Sequence, residues 1–240
     1  AHEIVSVKYI PGWKDKNMYL QGAIQFTLSP GWKTYWKKPG PFGVRPVVDW
    51  SQSENIQNIK LLWPTPKIFY QSDISVIGYE GVLTIPVRII KIDSLKDALL
   101  NIKLEFGVCS DICLLKTAKI IVPLEVNASG KNFDVINEAL KKVPLKAIDQ
   151  VFSISQCSIN RNGKNLNLTY SINLSKNPIS KPTVIIDYAS SEQYIENQTM
   201  QINGKTLLLK ASLTNIPKQE GLIERNRLTT LIILENKGFE

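Results

Sequence analysis

The sequence is poor in histidine, cysteine and long apolar runs, and each shortage narrows the chemistry open to it. Its single histidine, His2, stands at a chain end expected to fray. That excludes a Ser/His/Asp or Cys/His catalytic arrangement inside the fold, and equally a zinc site of the usual multi-ligand type. With a free amine, Ala1-His2 is at most a weak copper chelator, so no metal site and no cofactor are expected. No apolar run approaches the roughly 20 residues that a membrane span needs. A phosphate-cradling Gly-rich loop is missing, as is any pair of carboxylates at a convincing spacing. Lys and Arg outnumber Asp and Glu by 29 to 21, for a net charge of +8. The lysines are scattered across both halves rather than gathered in the stripe of a nucleic-acid binder, so a solvated basic surface and no nucleic-acid partner are expected. The chain opens Ala1-His2-Glu3 and enters a strand pattern at once. Cleavage after a small-residue site leaves such a start, so an exported chain whose signal peptide has already been removed is expected; a trimmed chain would look the same.

What is present is strand periodicity. Residues 4–10, 18–28, 56–62, 82–92, 99–108 and 117–126 alternate or run apolar as half-buried strands do. Pro30–Pro41, three aromatics between Pro/Gly punctuators, is expected to hold a short strand leaving one loop for another, and a further loop is expected through Gly43, Pro46 and Asp49-Trp50-Ser51. Residues 67–81 are less regular and read as a turn-rich loop holding Phe69 and Tyr70. All five tryptophans lie between Trp13 and Trp63, which supports a domain boundary further on. Asn127-Ala128-Ser129-Gly130 reads as a linker, and Asn132 as the N-cap of a helix over Phe133–Val143 that Pro144 ends. A second strand series follows at 151–159, 166–174, 183–188, 200–202, 206–213 and 228–234, with Asn-Gly hairpin signals at Asn162-Gly163 and Asn203-Gly204. Short strands at this spacing predict an all-β protein of two β-sandwich domains joined by a short helical linker. The domains are expected at 1–127 and 150–240, with the linker at 128–149.

Chemistry concentrates at Phe106-Gly107-Val108-Cys109-Ser110-Asp111-Ile112-Cys113. Extended geometry would hold residues four apart at roughly 13 Å, whereas disulfide partners need Cα atoms within about 7 Å. A helical turn or a tight hairpin with the loop Ser110-Asp111-Ile112 meets that need. The alternation of Ile102, Leu104 and Phe106, with Ala118–Val122 as the returning strand, favours the hairpin. A disulfide closing so short a loop restricts the unfolded chain little, so redox chemistry at an exposed turn is the better use for it. A structural disulfide or two buried thiols is the plainer alternative. If Cys109 and Cys113 pair, Cys157 is left as a free thiol, expected to be buried and inert. Asp111 beside the thiols would raise their pKa, so the site should react best with a partner bringing the more acidic thiol, typically a thioredoxin-like domain.

Several motifs, in order, carry a resemblance. Pro30-Gly31-Trp32-Lys33-Thr34-Tyr35-Trp36-Lys37-Lys38-Pro39-Gly40, Asp49-Trp50-Ser51, Trp63-Pro64-Thr65-Pro66, Gly78-Tyr79-Glu80 and Val108–Cys113 resemble the N-terminal periplasmic region of the DsbD/ScsB thiol:disulfide reductases. The similarity covers residues 1–125, and the second half resembles, more loosely, the further β domain of ScsB-like members. The resemblance implies immunoglobulin-like domains and a periplasmic protein-disulfide reductase whose cysteine pair shuttles electrons. A membrane electron-transfer protein (DsbD/CcdA-like) and a thioredoxin-like domain would reduce the pair, which would then reduce periplasmic disulfide-containing proteins. By the family's pattern Cys113 forms the mixed disulfide and Cys109 resolves it. A cap loop covers the family's pair; here it corresponds to Ile68–Ser72, with Phe69 or Tyr70 as the lid. Tyr35 matches an aromatic beside the site. Where the family often has a proline step after the second cysteine, this chain has Leu114-Leu115-Lys116. The membrane module and terminal thioredoxin-like domain are not in this sequence, which implies either a fragment or a free-standing carrier with a separate membrane partner. The rival readings are a non-catalytic envelope binding module with a structural disulfide, and a copper-handling protein resting on His2 and the three thiols.

Overall fold

Period-two alternation of β-branched, aromatic and polar residues produces strands along most of the chain. The computed structural model describes residues 3–40, 43–71, 74–125, 132–146, 152–188, 195–214 and 228–240. The chain divides into two units, Ala1–Val143 and Pro144–Glu240.

The first unit contains β1 (Val5–Lys14), β2 (Leu20–Leu28), β3 (Lys33–Tyr35), β4 (Val47–Asp49), β5 (Ile56–Leu61), β6 (Lys67–Gln71), β7 (Ile74–Glu80), β8 (Val82–Lys91), β9 (Ala98–Cys109), β10 (Cys113–Leu124) and the helix α1 (Phe133–Leu140). One antiparallel sheet has the order β1-β2-β8-β5. The other runs β10-β9-β3-β7-β6, with β4 also paired to β9. Alternate residues of β9, from Leu100 through Ile102, Leu104 and Phe106 to Val108, are buried on one face. They meet the buried faces of β2 and β8, where the Phe106 ring stands edge-on to Phe26 with centroids 5.0 Å apart. The outer face of the first sheet is covered by α1: Ile136 packs on Ile10 and Ala23, flanked by Trp13 and Leu140. Gly12 allows that approach, since a Cβ there would lie 2.8 Å from Ile136 Cδ1.

Three expectations change in this unit. Residues 67–71 and 74–80 are not loop but the strands β6 and β7, paired through Ile68↔Ile77 and Phe69↔Val76. Apolar cross-strand pairs outweigh the polar residues between them. Val47–Asp49, read as loop, adds to the edge of β9. The helix belongs to the first unit, and Asn132 does not cap it with its side chain. It adopts a left-handed conformation (φ 60°) and donates its side-chain amide to the Pro11 carbonyl at 2.9 Å instead. The linker residues Asn127–Gly130 lie outside the described residues, as do His2 and Ser72.

The second unit contains β11 (Phe152–Asn162), β12 (Asn165–Leu174), β13 (Thr183–Tyr188), β14 (Ile195–Asn203), β15 (Thr206–Leu213), β16 (Leu228–Leu234) and β17 (Lys237–Phe239). Its sheets are β11-β12-β15-β14 and β13-β16-β17. Tyr170, Ile172, Leu207 and Leu209 of one pack against Val184, Ile186 and Ile232 of the other. Gly163 and Gly204 turn the two Asn-Gly hairpins with φ of 62° and 58°. Cys157 corrects another expectation: it is free and exposed. It lies on the edge strand β11, where every described residue from Ser153 to Asn162 is exposed.

Candidate redox site

The β9–β10 hairpin places Cys109 and Cys113 directly opposite each other, with Ser110, Asp111 and Ile112 as its loop. The Ser110 amide donates to the Ile112 carbonyl at 3.0 Å and closes the turn. The facing Cα atoms are 4.1 Å apart, and the two sulfurs form a disulfide. Of the two backbone shapes the spacing allowed, the chain adopts the hairpin. Cys113 is exposed and Cys109 is half-buried, so the two sulfurs differ in access.

The difference comes from β3, which flanks β9 on the side away from β10. Lys33 and Thr34 pair with Cys109 and Val108. The buried Thr34 hydroxyl donates to the Gly107 carbonyl at 2.9 Å and fixes this register. Tyr35 is then carried over Gly107, where the absence of a side chain leaves room for its ring. A Cβ on Gly107 would lie 2.8 Å from Tyr35 Cε2 and 2.8 Å from Val44 Cβ. The buried Tyr35 ring directs its hydroxyl to within 2.7 Å of Cys109 Sγ and 3.6 Å of Cys113 Sγ. Burial raises the Tyr35 pKa, so the phenol keeps its proton and acts as donor toward a sulfur anion.

Phe69 is linked to the pair through Lys33, whose ammonium stands 5.4 Å from its ring centroid. Phe69 is half-buried, whereas Tyr70, its neighbour on β6, is 78% exposed. Asp111 is exposed at the hairpin tip. The structure thus brings Cys109, Cys113 and Tyr35 into contact, sets Phe69 one residue away through Lys33, and leaves Tyr70 and Asp111 in solvent. Sequence reasoning missed Gly107, Thr34 and Lys33. A glycine inside an otherwise apolar strand, two residues before a cysteine, was the available signal, since it marks close approach of another group. Among the described residues no group of three or more His, Cys, Asp or Glu is placed to hold a metal ion.

Residues 8–125 match the family described as thiol:disulfide interchange protein DsbD, N-terminal. This stretch of the chain, residues 8–125, belongs to the DsbD N-terminal family. The disulfide hairpin lies inside the matched segment, so its chemistry is that of a thiol:disulfide exchange module. The fold is also similar to the crystal structure of the N-terminal periplasmic domain of ScsB from Proteus mirabilis, with a TM-score of 0.75 at 22% identity. That likeness covers 99% of this chain and 92% of the other, so it takes in the second unit, beyond the reach of the DsbD N-terminal match. A search of curated proteins gave no match.

Proposed function

We propose that this DsbD N-terminal domain is a periplasmic dithiol/disulfide carrier, an immunoglobulin-like sandwich that receives two electrons from one thiol partner and passes them to another. The observation that supports it best is the unequal pair: an exposed Cys113 and a Cys109 that accepts a hydrogen bond from a buried tyrosine. An incoming thiolate attacks Cys113 Sγ, forming a mixed disulfide and breaking the Cys109–Cys113 bond. Cys109 leaves as a thiolate at the end of the Tyr35 hydroxyl, where a donor is already in place. The partner's second thiol, deprotonated, attacks the partner sulfur of the mixed disulfide, forming the partner's own disulfide and expelling Cys113 as a thiolate that takes up a proton. Two electrons and two protons have then moved, and both cysteines are thiols. Reversing the sequence reduces a periplasmic disulfide-containing protein. Phe69 serves as the lid over the pair, Lys33 steadying its ring, and Tyr70 as an outer contact; Asp111 biases the pair toward partners with acidic thiols. The upstream donors are a thioredoxin-like domain and a membrane electron-transfer protein.

The test uses the cysteines separately. Cys113→Ser abolishes exchange with a protein dithiol, and Cys109→Ser accumulates a mixed disulfide seen by non-reducing electrophoresis. In a Cys157→Ser background the reduction potential falls between roughly −180 and −270 mV, the span of known exchange proteins. Full exchange by Cys113→Ser overturns the assignment of roles. A pair lying below about −300 mV overturns the carrier reading and leaves a structural staple.

A further inference from the structure

The disulfide continues sideways into a row of charge. Cys113 pairs with Cys109, Cys109 with Lys33, and Lys33 with Glu80, a line across β10, β9, β3 and β7. Residues directly opposite each other in an antiparallel sheet share a face. Two sulfurs, an ammonium and a carboxylate therefore stand on one side of the sheet. Period-two alternation puts Tyr35 on that side with Lys33, in keeping with its hydroxyl at Cys109 Sγ. Cys109 thus meets two polar side chains of β3. Cys113 lies one strand further out, on β10, with no strand beyond it among the described residues.

The charges in the row are unequally committed. Glu80 is engaged by Lys67 at 2.8 Å. Lys67 chiefly, and Lys33 to a lesser degree, hold its carboxyl below the usual range. Among the described residues Lys33 makes no close ion pair; its half-buried side chain rests its ammonium 5.4 Å from the Phe69 ring centroid. A cation over a ring at a partly exposed site is weakly held. Facing Cα atoms in an antiparallel pair are about 4.5–5.5 Å apart, a gap that lysine's four-carbon stem spans. The other titratable groups around Cys109 are Tyr35, Cys113 and the exposed Asp111 at the hairpin tip.

In the disulfide Cys109 is uncharged and offers the ammonium nothing. Attack by a partner thiolate at Cys113 changes that. The partner sulfur bonds to Cys113 Sγ, the Cys113–Cys109 bond breaks, and its electron pair leaves on Cys109 Sγ. The negative charge that began on the partner ends opposite Lys33, and no proton moves in this step. Attack at Cys109 would instead strand the charge on Cys113, away from both side chains of β3.

We propose, resting on the exchange reading above, that Lys33 is the counter-ion of the departing Cys109 thiolate and so determines which sulfur leaves. Its ammonium passes from the Phe69 ring to Cys109 Sγ as the bond opens, joining the Tyr35 hydroxyl there.

The test reads each thiol alone in a Cys157→Ser background, Cys109 with Cys113→Ser and Cys113 with Cys109→Ser, by the pH dependence of alkylation with iodoacetamide. Lys33→Met keeps an unbranched stem beside Phe69 and removes the charge. At low salt it raises the Cys109 pKa by about half a unit or more and moves that of Cys113 less than half as far. Lys33→Gln gives the same shift, and Lys33→Arg restores the parent value. In 1 M potassium chloride, where screening acts within about 3 Å, the shift falls by at least half. With the disulfide intact, reduction of Lys33→Met by dithiothreitol is about twofold slower, since rates change by about half a decade per unit of leaving-group pKa. A Cys109 pKa equal in Lys33→Met and the parent, equal shifts at both cysteines, or a shift that salt or Lys33→Arg does not reverse overturns the role of Lys33 and leaves the exchange reading standing. A parent disulfide that dithiothreitol does not reduce overturns both.

Discussion

Replacing Tyr35 with phenylalanine removes one oxygen and leaves the ring that fills the space above Gly107. The lost group is the donor 2.7 Å from Cys109 Sγ. Because burial raises the Tyr35 pKa, that donor is intact throughout the range in which a thiol titrates, around 8.5 for a free cysteine. A hydrogen bond to a charged group contributes about 1.5–3 kcal/mol to net stability. Sulfur is a weak acceptor, so the lower end applies, and at 1.36 kcal/mol per unit it equals about one unit of pKa. Tyr35→Phe is therefore expected to raise the Cys109 thiol pKa by about one unit. With Cys113 and Cys157 both changed to serine, Cys109 is the sole thiol, and the pH dependence of its alkylation by iodoacetamide reads the pKa directly. In the protein with its disulfide, the poorer leaving group slows attack at Cys113 about threefold, for a rate sensitivity near 0.5 per unit. A Cys109 pKa unmoved by the substitution, with circular dichroism unchanged, would refute the claim that the phenol stabilises the departing thiolate.

Other substitutions test the surroundings. Gly107→Ala places a methyl 2.8 Å from both the Tyr35 ring and Val44. It should displace the ring, raise the Cys109 pKa in the same direction as Tyr35→Phe, and cost about 1–3 kcal/mol by overpacking, read from the urea midpoint. Phe106→Ala removes a buried ring that meets Phe26 between the two sheets, and should destabilise the first unit by about 3–5 kcal/mol in urea unfolding; a loss under 1 kcal/mol would mean that the sheets do not depend on this contact. Burial pushes Tyr170 up to about 12, against about 10 in the unfolded chain. The folded state holds its proton more tightly, so stability is unaffected below pH 10 and falls as the pH climbs from about 10 to 12, by up to about 2.7 kcal/mol from this group. Tyr9 and Tyr79 are raised by burial as well and add to the loss. Urea midpoints that stay flat to pH 12 would contradict it.

The redox hairpin was legible because two local signals agreed. Alternation at Ile102, Leu104 and Phe106 fixed an outgoing strand, and the four-residue cysteine spacing fitted a three-residue loop. The major strands were legible for the same reason, each carrying its own period. Short strands that gain order from a neighbour were not. Val47–Asp49 has three residues and forms because β9 offers it an edge. Lys67–Gln71 has no clear period of its own and becomes a strand by pairing with β7. Cys157 was misjudged by treating cysteine as a generic small hydrophobe. Its neighbours Ser155, Gln156 and Ser158 are polar on both sides of the strand, which is the pattern of a two-faced exposed edge. Tyr35 was placed at the site only through resemblance. What puts it there physically is Gly107, whose missing Cβ shows its meaning only when a ring is seen above it.

The cysteines occupy one rung at the end of a ladder of twelve facing pairs between β9 and β10. Opening their bond leaves eleven rungs and the buried face of β9 as they were. Architecture and electron count are therefore separate variables in this molecule. The bond can open and close at the rim of the sheet while the ladder and the core behind it keep the same partners.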